Sequence, residues 1–105
     1  MDTFSALADP TRREILVLLE SGPMDASDIS ACFQISKPAI SKHLKRLHEA
    51  ELVTRTVKAQ RRVYGLDPTG LTKVDHWIRQ RREAWENRLD RLGSLLEKNN
   101  EQNAG

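Results

Sequence analysis

The chain has a single cysteine, Cys32, and therefore no partner for an internal disulfide. A lone thiol fits a reducing compartment and leaves stability to the apolar core. Aromatic residues are nearly as scarce, with two tryptophans, two phenylalanines and one tyrosine among 105 residues. Hydrophobic residues make up 38% of the chain and charged residues 30%, so core material is lean. One domain of this length buries a modest core, and dimerisation would cover surface that a small monomer leaves open. No apolar run approaches the roughly 20 residues of a membrane span. The acidic start Met1-Asp2-Thr3 lacks the basic and apolar regions of a signal peptide. The expectation is a soluble cytoplasmic protein. Catalytic patterns are missing too: no Ser/His/Asp grouping, paired-carboxylate motif or phosphate-cradling glycine loop stands out. An enzyme is not expected.

What is present is concentrated positive charge. The net charge is only +2, but it is unevenly placed. Between Ser36 and Arg62 stand eight cations, Lys37, Lys42, Lys45, Arg46, Arg55, Lys58, Arg61 and Arg62. Against two anions, Glu49 and Glu51, they give a net +6 and leave −4 for the remainder. Such a concentration is the electrostatic footprint of a nucleic-acid partner.

The pattern is mostly helical. Asp2 to Leu7 reads as a short first helix carrying Phe4 and Leu7. Asp9-Pro10 reads as an N-cap followed by proline at the first helical position. Ile15, Leu18 and Leu19 then fall on one face, widened by Leu16, until Ser21-Gly22-Pro23 ends the helix. Asp25 or Ser27 caps the next helix, Ala26 to about Phe33, with Ile29, Cys32 and Phe33 turned inward. Ser36 caps the one after it, with proline two residues inside.

That last helix divides cleanly when projected at about 100° per residue. Ile40, Leu44 and Leu47 cluster on one side and anchor it. Pro38, Ala39, Ser41, Lys42, Lys45 and Arg46 face away. A helix of this size fits a DNA major groove, with Ser41 and Lys42 placed to meet base edges. Ser36 and Lys37 sit at the positive end of the helix dipole, where phosphates bind. Pro38 and Ala39 offer apolar contact to a thymine methyl, and Lys45 and Arg46 reach toward the backbone. His43 lies on the flank, where it either bonds a phosphate or ties the helix to its neighbour.

A β-hairpin follows, with Thr54-Arg55-Thr56-Val57 leading out and Arg62-Val63-Tyr64-Gly65-Leu66 returning. The connection from Lys58 through Gln60 to Arg61 holds no glycine, which predicts a loose wing rather than a tight primed turn. Basic side chains there, Lys58, Arg61 and Arg62, suit a minor groove or flanking phosphates. Tyr64 reads as core packing. From Leu71 to about Lys98 runs the longest helical pattern, roughly 42 Å at 1.5 Å per residue. Leu71, Ile78, Trp85 and Leu92 repeat every seven residues, and Val74 and Leu89 widen the stripe. Arg81, Arg82 and Arg88 interrupt a strict heptad, so a dimer seam is expected rather than a long free coiled coil. Residues 99–105 read as a disordered tail behind a single domain over 1–98.

These residues also carry a family likeness. Leu7-Ala8-Asp9-Pro10-Thr11-Arg12-Arg13-Glu14-Ile15-Leu16 resembles the opening of the ArsR-type winged-helix transcriptional regulators. Ile35-Ser36-Lys37-Pro38-Ala39-Ile40-Ser41-Lys42-His43-Leu44, with Ala50 and Leu52-Val53, is similar to that family's recognition helix and exit. The long last helix resembles, more loosely, a metal-independent, SdpR-like branch. The resemblance implies a winged helix-turn-helix, mostly α with a small β-hairpin and a long C-terminal dimerisation helix over about 70–98. It also implies a homodimeric repressor on a palindromic operator, with double-stranded DNA and a second copy as partners. Such a protein would be nucleoid-associated. Phe4, Leu7, Leu71, Val74, Ile78, Trp85, Leu89 and Leu92 are the expected dimer contacts.

Two departures stand out. The family usually has glycine where this chain has Glu51, so the exit from the recognition helix is expected to differ slightly. Metal-sensing relatives carry a Cys-x-Cys pair where this chain has Asp25 and Ser27, just before Asp28-Ile29. A carboxylate and a hydroxyl do not replace thiolates for a soft metal. Asp75-His76 has the wrong spacing for the family's last-helix zinc pattern. No metal and no cofactor are expected. Two alternatives stay open: a winged-helix module holding an acidic protein partner, and a repressor answering to a small-molecule or redox inducer.

Overall fold

A computed structural model describes residues 2–103, with side chains described through Lys98. The chain divides into two compact units, Met1–Val74 and Asp75–Gly105.

The first unit is built by side chains that stop and start helices. Helix α1 (Thr3–Ala8) is capped by Asp2, whose carboxylate accepts the Ser5 N–H at 2.7 Å. Helix α2 (Pro10–Leu18) is capped by Asp9, with Pro10 at its first position, and tightens into a 3-10 turn over Leu19–Ser21. A two-residue strand β1 (Met24–Asp25) precedes α3 (Ala26–Ala31), which Asp25 caps. The sequence left that cap open between Asp25 and Ser27. Ser36 caps α4 (Lys37–Glu49), accepting the Ala39 N–H at 3.2 Å. Each cap satisfies an N–H that a helix start otherwise leaves unpaired.

Strands β2 (Val53–Lys58) and β3 (Arg61–Leu66) form an antiparallel hairpin, and β1 joins the other side of β3. Met24 pairs with Tyr64 and Asp25 with Val63. The sequence predicted only the hairpin, because a two-residue strand shows no periodicity. The hairpin connection also differs from expectation. Lys58 pairs with Arg61, which leaves only Ala59 and Gln60 in the turn, and Ala59 takes φ +54. A tight turn forms without glycine because the paired strands hold one alanine in the left-handed region, at a small strain.

The core draws on every element of this unit up to the wing. Ala6, Ile15, Leu19, Ile29, Ile40, Leu44, Leu47, Leu52, Val53 and Tyr64 are buried in one cluster. Each fully buried leucine or isoleucine contributes about 1.5–3 kcal/mol. Leu7 and Phe33 pack partly against that cluster. Cys32 departs from expectation: α3 ends at Ala31, and the exposed thiol donates to Asp28 O at 3.4 Å instead of turning inward.

Glu51 follows the end of α4 at φ +59, so it takes the left-handed cap that glycine usually supplies. The exit does not change course as the sequence led us to expect. It is held from both sides: Glu51 O accepts the Gly70 N–H at 2.8 Å, and the Glu51 carboxylate meets Lys73 Nζ at 3.1 Å.

The last helix, α5, runs Pro68–Asn103. Its backbone is helical across residues 99–103, where the sequence placed a disordered tail; residues 104–105 lie outside the described residues. In the second unit Asp75 pairs with Arg79 at 3.0 Å, and the Arg81 guanidinium lies 5.6 Å from the Trp77 ring centre. No helix among the described residues is long and apolar enough to cross a membrane.

Candidate nucleic-acid interface

Helix α4 is amphipathic in the way its sequence spacing requires. Ile40, Leu44 and Leu47 are buried, whereas Lys37, Pro38, Ser41, Lys42, Lys45 and Arg46 are exposed and Ala39 and His43 are half-buried. At the start of that helix the Ser36 hydroxyl oxygen serves as the cap and Pro38 stands in the first turn; Ser41, Lys42, Lys45 and Arg46 lie beyond that helix start.

The wing shows the same division. Val53 is buried at its base, and every residue from Thr54 to Arg62 is exposed, including Lys58, Gln60, Arg61 and Arg62. Arg61 differs from its neighbours because its Nε lies 3.8 Å from the Asp25 carboxylate. That pair is largely solvated and contributes at most about 1 kcal/mol. Asp25 is also engaged through its other oxygen, which accepts the Ser27 N–H at 3.1 Å. Among the described residues, Lys37, Lys42, Lys45, Arg46, Arg55, Lys58 and Arg62 have no carboxylate within ion-pair distance. Also among the described residues, no three His, Cys, Asp or Glu side chains gather as metal ligands.

What places α4 is a set of polar ties that the sequence did not reveal. Thr3 is buried and donates its hydroxyl to Ala50 O at 3.1 Å, joining α1 to the end of α4. Arg12, also buried, donates Nε to Ala6 O at 2.8 Å and Nη2 to Ser5 O at 3.0 Å. Arg13 donates to Leu7 O at 2.8 Å. Two arginines of α2 thereby satisfy the terminal carbonyls of α1. The remaining arm of Arg12 reaches α4, with Nη1 3.4 Å from His43 Nδ1. The Arg12 backbone N–H, bonded to the Asp9 side chain, holds that carboxyl below the ordinary carboxylate range. One signal could have exposed Arg12: it lies three and seven residues before Ile15 and Leu19, on the buried stripe of its helix.

The second unit carries a different surface. Ile78, Trp85, Leu89 and Leu92 are all exposed, Trp85 at 63% and Leu89 at 66%. In the first unit Phe4 and Leu71 are exposed, and Leu7 and Val74 are half-buried.

A basic, exposed helix followed by a cationic hairpin has close counterparts among known proteins. The family model for bacterial regulatory proteins of the arsR family matches residues 9–55. The transcriptional repressor SdpR of Bacillus subtilis (strain 168) is 46% identical over 77 residues, which cover 73% of this chain and 86% of that protein. This chain belongs to the ArsR family. Solved ArsR-type structures agree with the fold. An ArsR-like transcriptional regulator from Rhodococcus sp. RHA1 has a TM-score of 0.78 at 29% identity, covering 88% of this chain and 87% of that one. A possible transcriptional regulator for arsenical resistance is 38% identical, with a TM-score of 0.71 over 90% of this chain and 95% of its own. As an ArsR-family member the chain is a DNA-binding transcriptional regulator with a winged helix-turn-helix.

Proposed function

We propose that the protein is a homodimeric, nucleoid-associated repressor that occupies a palindromic operator and so blocks transcription. The observation that carries this reading is the exposed, unpaired cation set on α4 and the wing. Eight cations against two anions between Ser36 and Arg62 concentrate positive charge on this face, and the phosphates of a duplex are its complement. Ser41 and Lys42 lie mid-helix and read base edges, while Pro38 and Ala39 meet thymine methyls. Ser36, Lys37, His43, Lys45 and Arg46 hold the backbone, and Lys58, Gln60, Arg61 and Arg62 extend the grip to the flanking groove. Arg61 exchanges its weak bond to Asp25 for a phosphate.

Selection of bound sequences from a random DNA library tests this reading, because a palindromic consensus is its direct product. With that site in hand, Lys42→Ala should weaken binding and relax specificity by about 1–3 kcal/mol. Unchanged affinity and specificity would remove Lys42 from the reading set. A salt-sensitive but sequence-blind shift would instead support an acidic protein as the partner.

The second copy covers two surfaces. One is Phe4 and Leu7 on α1; the other is the stripe of α5 marked by Leu71, Val74, Ile78, Trp85, Leu89 and Leu92. Exposed tryptophan and leucine at this density favour association over solvation. Trp85→Asp buries a charge in that seam and should weaken association by at least about 2 kcal/mol. Sedimentation then shows a monomer where the parent is a dimer, and a variant that stays dimeric would refute the seam.

A further inference from the structure

Arg12 and His43 meet in a contact whose chemistry has one favourable solution. Arg12 is only 5% exposed, and two carbonyl bonds, to Ala6 O and Ser5 O, fix its guanidinium. Its Nη1 faces His43 Nδ1 on the recognition helix at 3.4 Å. An arginine side chain offers donors alone and stays protonated. The facing ring nitrogen bonds it only through a lone pair; a hydrogen there would set donor against donor beside a cation. The contact is long for a hydrogen bond, but the choice of tautomer needs only its sign. Asp9 is the other charged group of the cluster, and it is engaged with Arg12: Oδ1 accepts the Arg12 backbone N–H and Oδ2 lies 4.0 Å from Nη1.

We propose that Arg12 holds His43 as its Nε2–H tautomer and so makes the ring a fixed hydrogen-bond donor to a DNA phosphate. The two ring nitrogens diverge, so with Nδ1 turned to Arg12 the Nε2–H faces away from it. Among the described residues Nε2 has no bond of its own. Its neighbours on α4, Lys42 and Arg46, are exposed on the candidate interface. His43 therefore ties the helix to α2 and contacts DNA at once, through different nitrogens, with Arg12 as the positioning residue. The phosphate half of this assignment rests on the DNA-reading function proposed above.

The tautomer is read first, on the free protein, by long-range proton–nitrogen correlation in mildly alkaline buffer. His43 should show Nε2–H alone, whereas exposed His48 and His76 give the averaged pattern of mixed tautomers. A His43 ring protonated at Nδ1, or averaged like its two references, overturns the inference whatever DNA does. Binding is read second, on the selected operator. His43→Leu should lose about tenfold in affinity, the scale of one hydrogen bond to a charged acceptor. His43→Gln, with an amide oxygen for Arg12 and an amide N–H for phosphate, should recover to within about threefold of the parent. Parent-like binding by His43→Leu, or no recovery by His43→Gln, rejects the phosphate contact. A parent protein with the expected tautomer that binds no DNA rejects the DNA-reading function instead.

Discussion

Arg12→Leu should lower the stability of the domain by about 3 kcal/mol, although leucine suits a buried position. The loss is polar. Arginine donates to Ser5 O and Ala6 O at the end of α1 and approaches both His43 and Asp9. Leucine satisfies none of these groups, and an unsatisfied buried acceptor costs about 1–3 kcal/mol. Burial of the leucine side chain offsets part of that, since the arginine stem is already buried. For a domain of this size about 3 kcal/mol corresponds to a fall in Tm of roughly 12–24 °C. Thermal unfolding at fixed protein concentration reads the shift, because dimerisation makes Tm concentration-dependent. A fall under about 4 °C would mean that the α1 carbonyls find other donors and that Arg12 is not the node described.

Arg12 also marks the boundary between what the sequence disclosed and what it hid. Ile40, Leu44 and Leu47 were legible as anchors because helical spacing alone puts them on one face, and all three are buried. Asp9-Pro10 and Ser36 with Pro38 were legible because capping is local chemistry, decided within four residues. The exposed cations on the far face of α4 followed from the same projection. What stayed hidden depends on contacts between elements distant in the chain. Thr3 meets Ala50 across 47 positions and Arg12 meets His43 across 31. Strand β1 exists because Met24 and Asp25 find the free edge of β3, not because two residues prefer a strand. Ala59 and Glu51 adopt left-handed backbone because their surroundings hold them there, against their own preference.

That enforced exit from the recognition helix carries the other large effect. Gly70→Ala should destabilise the domain by about 2 kcal/mol, against the direction that helix propensity alone predicts. Alanine is favoured over glycine inside a helix by about 1 kcal/mol, and Gly70 lies in the first turn of α5. A Cβ there would stand 2.8 Å from Ala50 O, 2.8 Å from Glu51 O and 2.9 Å from Leu52 Cδ2. Two of these neighbours are backbone carbonyls with little freedom. Ala50 O accepts the Thr3 hydroxyl, and Glu51 O accepts the Gly70 N–H itself at 2.8 Å. Relief requires α5 to move away and stretch that bond; overpacking of this kind costs about 1–3 kcal/mol, and the weakened bond adds about 1 kcal/mol. Together these exceed the propensity gain, and Tm should fall by roughly 8–16 °C. Gly93→Ala is the matched comparison, because a Cβ at Gly93 meets nothing within 4 Å. There propensity acts unopposed, and stability should rise by up to about 1 kcal/mol. If both variants shift Tm upward, the close approach of α5 to the end of the recognition helix does not constrain the fold.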